Sequence, residues 1–310
     1  MRFITATGLG LTLWVGSSIL SFPQFATSQL AFSQSAQGSQ TASTELPVLE
    51  ATPAEATLQA PAQSPTQSSQ SQDLVSRGIA AQNAGNYEEA IAIWQLVLVQ
   101  EPNNSLAYNN LGNALLAIGR IDEAEAAYRS AIATNPNDAT SHYNLAILLA
   151  KQNRVEEAIA AYQTAIRLNP EDADAHYNLG YWQERQGRIP EAIAAYREAT
   201  KINPFDADAY YNLGILLRTQ EQRREAEVVF RRVTVIDPDY VEAYYYLSLV
   251  LAERGLLVSS EAVLRDAITR IPNNADLYYS LALVLDKQGR FEDSATAYAE
   301  AQRLDRQSVN

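Results

Sequence analysis

Six prolines recur at a constant interval of 34 residues in this chain of 310 residues. They are Pro102, Pro136, Pro170, Pro204, Pro238 and Pro272. Because the whole chain holds only 12 prolines, chance does not explain this register. A fixed period of this length is typical of a solenoid, in which each repeat is one supersecondary unit that buries its apolar face against a neighbouring copy.

The repeat places small and large side chains in separate columns. With the recurring proline as position 32, seven repeats follow, at 71–104, 105–138, 139–172, 173–206, 207–240, 241–274 and 275–308. Position 8 is small throughout: Gly78, Gly112, Ala146, Gly180, Gly214, Ser248 and Ala282. Position 24 is large throughout: Trp94, Tyr128, Tyr162, Tyr196, Phe230, Leu264 and Tyr298. Small residues let two helices approach closely while large ones fill the space, so the columns predict helix-on-helix packing.

Helix ends are marked inside each repeat. Position 15 carries residues that tolerate the left-handed conformation ending a helix, with Glu221 as the exception: Gly85, Gly119, Asn153, Gly187, Gly255 and Gly289. Position 34 carries residues that cap the next helix: Asn104, Asp138, Asp172, Asp206 and Asn274. Each repeat is therefore predicted to be a hairpin of two short helices.

These columns resemble the tetratricopeptide repeat, whose marks include a large residue at position 4, Leu at 7, Gly or Ala at 8, Ala at 20, an aromatic at 24 and Pro at 32. Residues 105–240 match closely, and the resemblance covers roughly 71–306. Arg77 and Arg306 depart from it in the terminal repeats, which are expected to be atypical. The resemblance implies an all-α fold, a right-handed α-solenoid of antiparallel helix pairs that forms a superhelix.

The residues before the repeats divide into two predicted segments. Residues 1–33 resemble a secretory signal, with cleavage after Ser28 or Ser33, and the alternative is an uncleaved membrane anchor through residues 1–22. Residues 34–70 are rich in Ser, Gln, Ala and Pro and are predicted to be a disordered linker. The expected location is exported, periplasmic or extracytoplasmic, with 71–308 as the repeat domain.

The composition argues against several classes of function. The net charge is −13 with no basic stripe, which argues against nucleic acid as the main ligand. The absence of cysteine excludes disulfides and thiol catalysis. Both histidines, His142 and His176, occupy position 4, where a packing role is favoured over a metal or base role. No catalytic constellation, cofactor motif or metal motif is present, so the chain is predicted to be no enzyme.

The remaining candidates lie on the first helix of each repeat, at positions 2, 5, 6, 9, 12 and 13, which share one face. In tetratricopeptide arrays that face lines the concave groove. The candidate peptide-binding residues are Asn110, Asn113, Asn144, Asn178, Asn212, Tyr143, Tyr177, Tyr181, Tyr211, Tyr245 and Tyr279, and the candidate groove-edge charges are Lys151, Arg185 and Arg218. An asparagine carboxamide both donates and accepts, so a ladder of them can pair with the peptide groups of an extended chain. The other interpretation is that Asn and Tyr are repeat consensus with a structural role.

The sequence therefore predicts a protein–protein interaction scaffold that binds an extended peptide segment of an unidentified partner in its groove. One alternative is a membrane-tethered assembly factor for a multi-subunit membrane complex, photosynthetic complexes included. Another is a structural protein that self-associates through the exposed end of the seventh repeat, at Tyr298 and Leu304.

Overall fold

The computed structural model describes residues 67–308, which form fourteen α-helices and no strand. Their bounds are α1 Gln67–Asn83, α2 Tyr87–Gln100, α3 Ser105–Ala117, α4 Ile121–Thr134, α5 Ala139–Lys151, α6 Val155–Leu168, α7 Ala173–Arg185, α8 Ile189–Ile202, α9 Ala207–Thr219, α10 Arg223–Ile236, α11 Val241–Glu253, α12 Leu257–Arg270, α13 Ala275–Lys287 and α14 Phe291–Ser308. The odd-numbered helices are the first helices of the seven repeats and the even-numbered ones are the second helices. The predicted all-α solenoid of helix pairs is confirmed.

The predicted signal or anchor, 1–33, and residues 34–66 of the predicted linker lie outside the described residues. Helix α1 begins at Gln67, ahead of the predicted start of the first repeat at Ser71, so the helix includes the last residues assigned to the linker. In the part of the chain from 67 to 308, no helix is long and apolar enough to cross a membrane.

The predicted helix ends are confirmed by backbone and capping geometry. Asn153 and Glu221 adopt positive φ values of 61° and 58°, so the turn between first and second helix keeps the left-handed conformation even where glycine is absent. The side chain of each Asn or Asp at position 34 accepts a hydrogen bond from the first turn of the following helix; Asp172, for example, accepts from the N–H of Ala175 at 3.0 Å. The cap satisfies a backbone donor that has no partner within the helix.

In the hairpins with glycine at position 8, the backbone of the first helix closely approaches the ring at position 24. A Cβ built on Gly112 would lie 2.6 Å from Cε1 of Tyr128, and one built on Gly214 would lie 2.7 Å from Cε1 of Phe230. The rings of repeats one to five are fully buried: Trp94, Tyr128, Tyr162, Tyr196 and Phe230. The ring thus lies directly on the backbone of the first helix, which fixes the spacing of the pair.

Contacts between repeats define the inner surface of the array. Consecutive first helices touch one another, at α3–α5, α9–α11 and α11–α13, whereas the second helices in the described range make no comparable contact with each other. Because the first helices lie closer together, the array curves with the first helices on its concave side. The second helices form the outer, convex side.

Replacing glycine by alanine at two different positions tests the packing of position 8. Gly112→Ala is expected to lower the free energy of unfolding by about 1–2 kcal/mol, because the added Cβ overlaps the ring of Tyr128. Gly180→Ala meets the ring of Tyr196 at 3.0 Å, and the better helix propensity of Ala, about 1 kcal/mol, offsets that tighter contact. Urea denaturation of both variants checks this, and equal effects at the two positions would contradict it.

Candidate peptide-binding groove

The predicted asparagines and tyrosines all lie on first helices, and the structure connects them from one repeat to the next. The Nδ2 of Asn178 donates to the hydroxyl of Tyr143 at 3.1 Å, and the Nδ2 of Asn212 donates to the hydroxyl of Tyr177 at 3.1 Å. One repeat earlier, the Nδ2 of Asn144 donates to Oδ1 of Asn109 at 2.9 Å. These three bonds, each from position 6 to position 5 of the preceding repeat, are called the ladder below.

Burial of the ladder differs from the expectation that its carboxamides are open to a ligand. Asn144, Asn178 and Tyr143 are only 7–8 % exposed, while Asn110 and Asn212 are half-buried. The reason is that neighbouring first helices approach closely, so that the amide of one repeat reaches a side chain of the preceding repeat. These groups stabilise the array, and their role in binding a peptide stays a prediction.

The tyrosines of position 5 also pack within their own repeat. Edge contacts join them to the ring at position 24, with centroid distances of 5.8 Å for Tyr143–Tyr162 and 5.6 Å for Tyr177–Tyr196. Burial is the main cause that raises the pKa of Tyr177 to about 12, so this hydroxyl stays neutral at physiological pH. Tyr245 differs, because its ring is 38 % exposed on the concave side.

Two further candidates make contacts within the array. The Oδ1 of Asn113 accepts a hydrogen bond from the hydroxyl of Tyr128 at 2.7 Å, and the hydroxyl of Tyr279 donates to Oδ2 of Asp305 at 2.8 Å. Both side chains are therefore held within the array, and binding by them also stays a prediction.

An aromatic group in repeat four combines the exposed Tyr181 and Arg185 with Trp182, which is half-buried against the core. The guanidinium carbon of Arg185 is 5.7 Å from the ring centroid of Tyr181 and 5.8 Å from that of Trp182, and Nη1 of Arg185 donates to the hydroxyl of Tyr181 at 3.3 Å. Tyr181 is 36 % exposed. Trp182 was missed by the sequence reasoning, since its column is otherwise aliphatic, with buried members such as Leu148 and Leu216; a lone Trp in that column was the available signal.

A second aromatic group joins repeats five and six. The rings of Tyr211 and Tyr240 are 5.1 Å apart, those of Tyr211 and Tyr246 are 5.8 Å apart, and Tyr245 contacts Tyr246 at 5.0 Å. The hydroxyl of Tyr240 donates to Oδ1 of Asp208 at 3.0 Å. Tyr240 and Tyr246 were also missed; they replace the cap of position 34 and the asparagine of position 6, and those replacements were the signal.

Basic side chains lie near one edge of the concave face, where Glu253 pairs with one of them, and acidic side chains lie along the other edge. Lys151 and Arg185 lie exposed near the ends of their helices, and the Nε of Arg218 donates to Glu253 at 3.0 Å. At the opposite edge, Asp174, Asp208 and Glu242 lie in the first turns of α7, α9 and α11. Burial, followed by the negative charges of Asp172 and Asp206, raises the pKa of Asp174 above its ordinary value. We call Asp174, Asp208 and Glu242 the acidic edge.

The histidines and the array end have packing roles. Nε2 of His142 lies 3.0 Å from the carbonyl oxygen of Pro136, and Nε2 of His176 lies 3.1 Å from that of Pro170, so each ring holds its helix to the preceding turn. At the seventh repeat, Leu304 is buried, only 6 % exposed. The surface expected to mediate self-association therefore offers the half-buried Tyr298 but not Leu304.

The ladder predicts a measurable coupling. In a double-mutant cycle, Asn178→Ala and Tyr143→Phe are expected to show a coupling of about 1 kcal/mol in the free energy of unfolding, because they share one buried hydrogen bond. Asn178→Ala combined with Tyr279→Phe, three repeats away, is the control and is expected to be additive within about 0.5 kcal/mol. Urea denaturation measures both cycles. Additivity of the first pair would contradict the structural role of the ladder.

The raised pKa of Asp174 predicts that this residue lowers the free energy of unfolding at neutral pH. A carboxyl whose pKa is raised on folding makes the free energy of unfolding fall as the pH rises through the range between its unfolded and folded pKa values. Asp174→Asn is therefore expected to be more stable at neutral pH than Asp122→Asn, and this difference is expected to disappear as the solution is acidified. Both substitutions remove a first-turn carboxylate, so both lose the same helix-dipole interaction. Thermal denaturation across pH measures the difference, and a constant difference would be the contrary result.

Comparison with known proteins is consistent with this geometry. A tetratricopeptide-repeat family model matches residues 75–139, 143–207 and 259–309, and a second model of the same repeat matches residues 183–251. No curated protein matches the chain significantly. Among solved structures, YrrB, a TPR protein with an unusual peptide-binding site, is 25 % identical with a TM-score of 0.52, covering 58 % of this chain and 93 % of its own.

Two more distant structures share the fold alone. The C-terminal part of a TPR repeat-containing protein from Cytophaga hutchinsonii is 17 % identical with a TM-score of 0.61, covering 74 % of this chain and 94 % of its own. A tetratricopeptide repeat protein from Parabacteroides merdae is 21 % identical with a TM-score of 0.50, covering 76 % and 93 %. With family models matching more than half of its residues, the chain belongs to the tetratricopeptide-repeat family.

Proposed function

We propose that this protein is a non-enzymatic scaffold that binds an extended segment of a partner protein along the concave face of its array. The observation that carries the proposal is the group that the exposed Tyr181 and Arg185 form with the half-buried Trp182 on α7, in the fourth of the seven repeats. Tyr, Trp and Arg are the residues most enriched among those that dominate binding energy at protein interfaces.

The physical argument is the combination of exposed rings with a concave surface. A segment lying in the groove contacts several first helices at once, and the rings of Tyr181 and Tyr245 offer it apolar area with a polar tip. The half-buried asparagines Asn110 and Asn212 also lie on first helices and offer carboxamide oxygen to peptide N–H groups. YrrB, which shares this fold, has a peptide-binding site.

We further propose that the scaffold works outside the cytoplasm, because residues 1–33 have the character of a secretory signal or anchor. An assembly factor for a membrane complex would use the same groove and would retain residues 1–22 as its tether. The mass of the mature protein recovered from cells separates cleavage from retention.

The groove is tested with selected peptides and one matched pair of variants. Peptides enriched from a random display library on the full chain are expected to bind Tyr181→Ala about 10- to 30-fold more weakly, the loss typical of a central interface residue. Phe291→Ala is the control, because Phe291 is 69 % exposed but begins a second helix, on the convex side. Isothermal titration measures both affinities. Peptides that are indifferent to Tyr181, or that depend on Phe291, would place binding outside the groove.

A further inference from the structure

The carboxylates of the acidic edge have no cationic partner. Among residues 67–308, no Lys or Arg forms an ion pair with Asp174, Asp208 or Glu242, whereas several carboxylates of the second helices are paired between repeats, as in Arg188–Glu156 at 2.7 Å and Arg290–Glu261 at 2.7 Å. The acidic edge is thus a row of three carboxylates on the concave side without an ion pair.

Burial opposes the charge of one member of this row, Asp174, and that of the neighbouring cap residue Asp206. Burial raises the pKa of Asp206 as well as that of Asp174, and in both cases a neighbouring carboxylate adds to the rise. No basic side chain lowers the pKa of either carboxyl. A cation supplied by a ligand would relieve the repulsion, which gives such a ligand an advantage over a neutral one.

Tyrosine rings lie beside this row and favour the same kind of ligand. Tyr240 donates to Asp208, its ring lies 5.1 Å from that of Tyr211, and the exposed Tyr245 follows on α11. The face of a tyrosine ring attracts ammonium and guanidinium groups, and the ring also packs against the aliphatic stems of Lys and Arg. Carboxylates and rings together therefore recognise basic side chains in two independent ways.

The spacing of the row selects an extended chain over a free ion. Packed helices lie about 8–10 Å apart, so neighbouring carboxylates of the acidic edge are separated by about that distance. An extended polypeptide advances about 3.3 Å per residue, so about every third residue meets the next carboxylate. Within the described range, no three His, Cys, Asp or Glu side chains converge to hold one metal ion.

We propose, building on the scaffold function above, that the segment bound in the groove is basic, with Lys or Arg at about every third residue along the acidic edge and the tyrosines of repeats five and six. The chain as a whole is acidic, with a net charge of −13, which is opposite in sign to the proposed basic segment. A rim contact of this kind sets specificity and the rate of association more than it sets affinity.

The test uses three synthetic peptides of about ten residues with a fluorescent label, long enough to span the acidic edge. The first carries Lys at every third position, the second carries Glu at those positions, and the third has the composition of the first with its lysines adjacent. Fluorescence anisotropy with the full chain is expected to show the first peptide binding most tightly. Its affinity is expected to fall as the salt concentration rises from about 50 to about 300 mM.

Two double variants locate the contact. Asp174→Asn with Asp208→Asn is expected to weaken binding of the first peptide about five- to tenfold. Asp122→Asn with Glu191→Gln removes the same charge from the starts of two second helices, α4 and α8, and is expected to change binding less than about twofold. Equal losses in the two double variants, no loss in the first, or equal binding of the lysine and glutamate peptides would each overturn the proposal.

Failure of this inference is distinguishable from failure of the scaffold function. If the library peptides are neutral or acidic and still depend on Tyr181, the groove binds peptides and the basic preference is wrong. If they are basic and depend on both Tyr181 and the acidic edge, both proposals stand. If no peptide depends on either, both are wrong.

Discussion

The close approach of a small residue on one helix to a large ring on the next is the contact on which the rest of the array depends. At Gly112 and Gly214 the ring leaves no room for a Cβ, so the two helices of a repeat have one spacing. The same ring then receives the edge of the position-5 tyrosine, as Tyr162 receives Tyr143. That contact orients the hydroxyl toward the next first helix, where Asn178 binds it. Packing inside one repeat therefore sets the distance between repeats, and with it the curvature that forms the groove.

This dependence places the ladder and a ligand in competition for the same carboxamides. If the buried amide of Asn178 turns toward a peptide, the hydroxyl of Tyr143 loses its hydrogen-bond donor. An unsatisfied buried group costs about 1–3 kcal/mol. A peptide hydrogen bond gains about 1 kcal/mol net. Under the proposed function, the side chains best placed to bind a peptide are therefore those that the ladder does not use: Tyr181, Arg185, Tyr245 and the acidic edge.

The sequence was sufficient for the fold because the fold is local. The period, the small residue facing a ring, the left-handed residue at position 15 and the caps all act within one repeat or its immediate neighbour, so reading columns recovers them. Glu221 shows the strength of this constraint, since it adopts a positive φ of 58° without being Gly or Asn. The helical start at Gln67 was not recovered, because the first repeat has no preceding copy to align with it.

The site was recovered only in part, because exposure within a column depends on distances between helices. Position 5 is Tyr in five repeats, yet Tyr143 is buried and Tyr245 is open, and no periodic pattern distinguishes them. Trp182, Tyr240 and Tyr246 break their columns, and column reasoning gives most weight to residues that keep them. Departures from the repeat are therefore as informative about function as the repeat itself, because packing explains the residues that conform.

The acidic edge supports this view. A helix dipole favours a carboxylate in the first turn of any helix, which accounts for the sign of Asp174 and equally for that of the exposed Asp122. The dipole does not account for placing Asp174 where burial and two neighbouring carboxylates oppose its charge. Position 2 is Thr140 one repeat earlier, so the architecture of the repeat does not demand an acid there. A basic ligand, as proposed above, would supply the favourable interaction that is missing from the array itself.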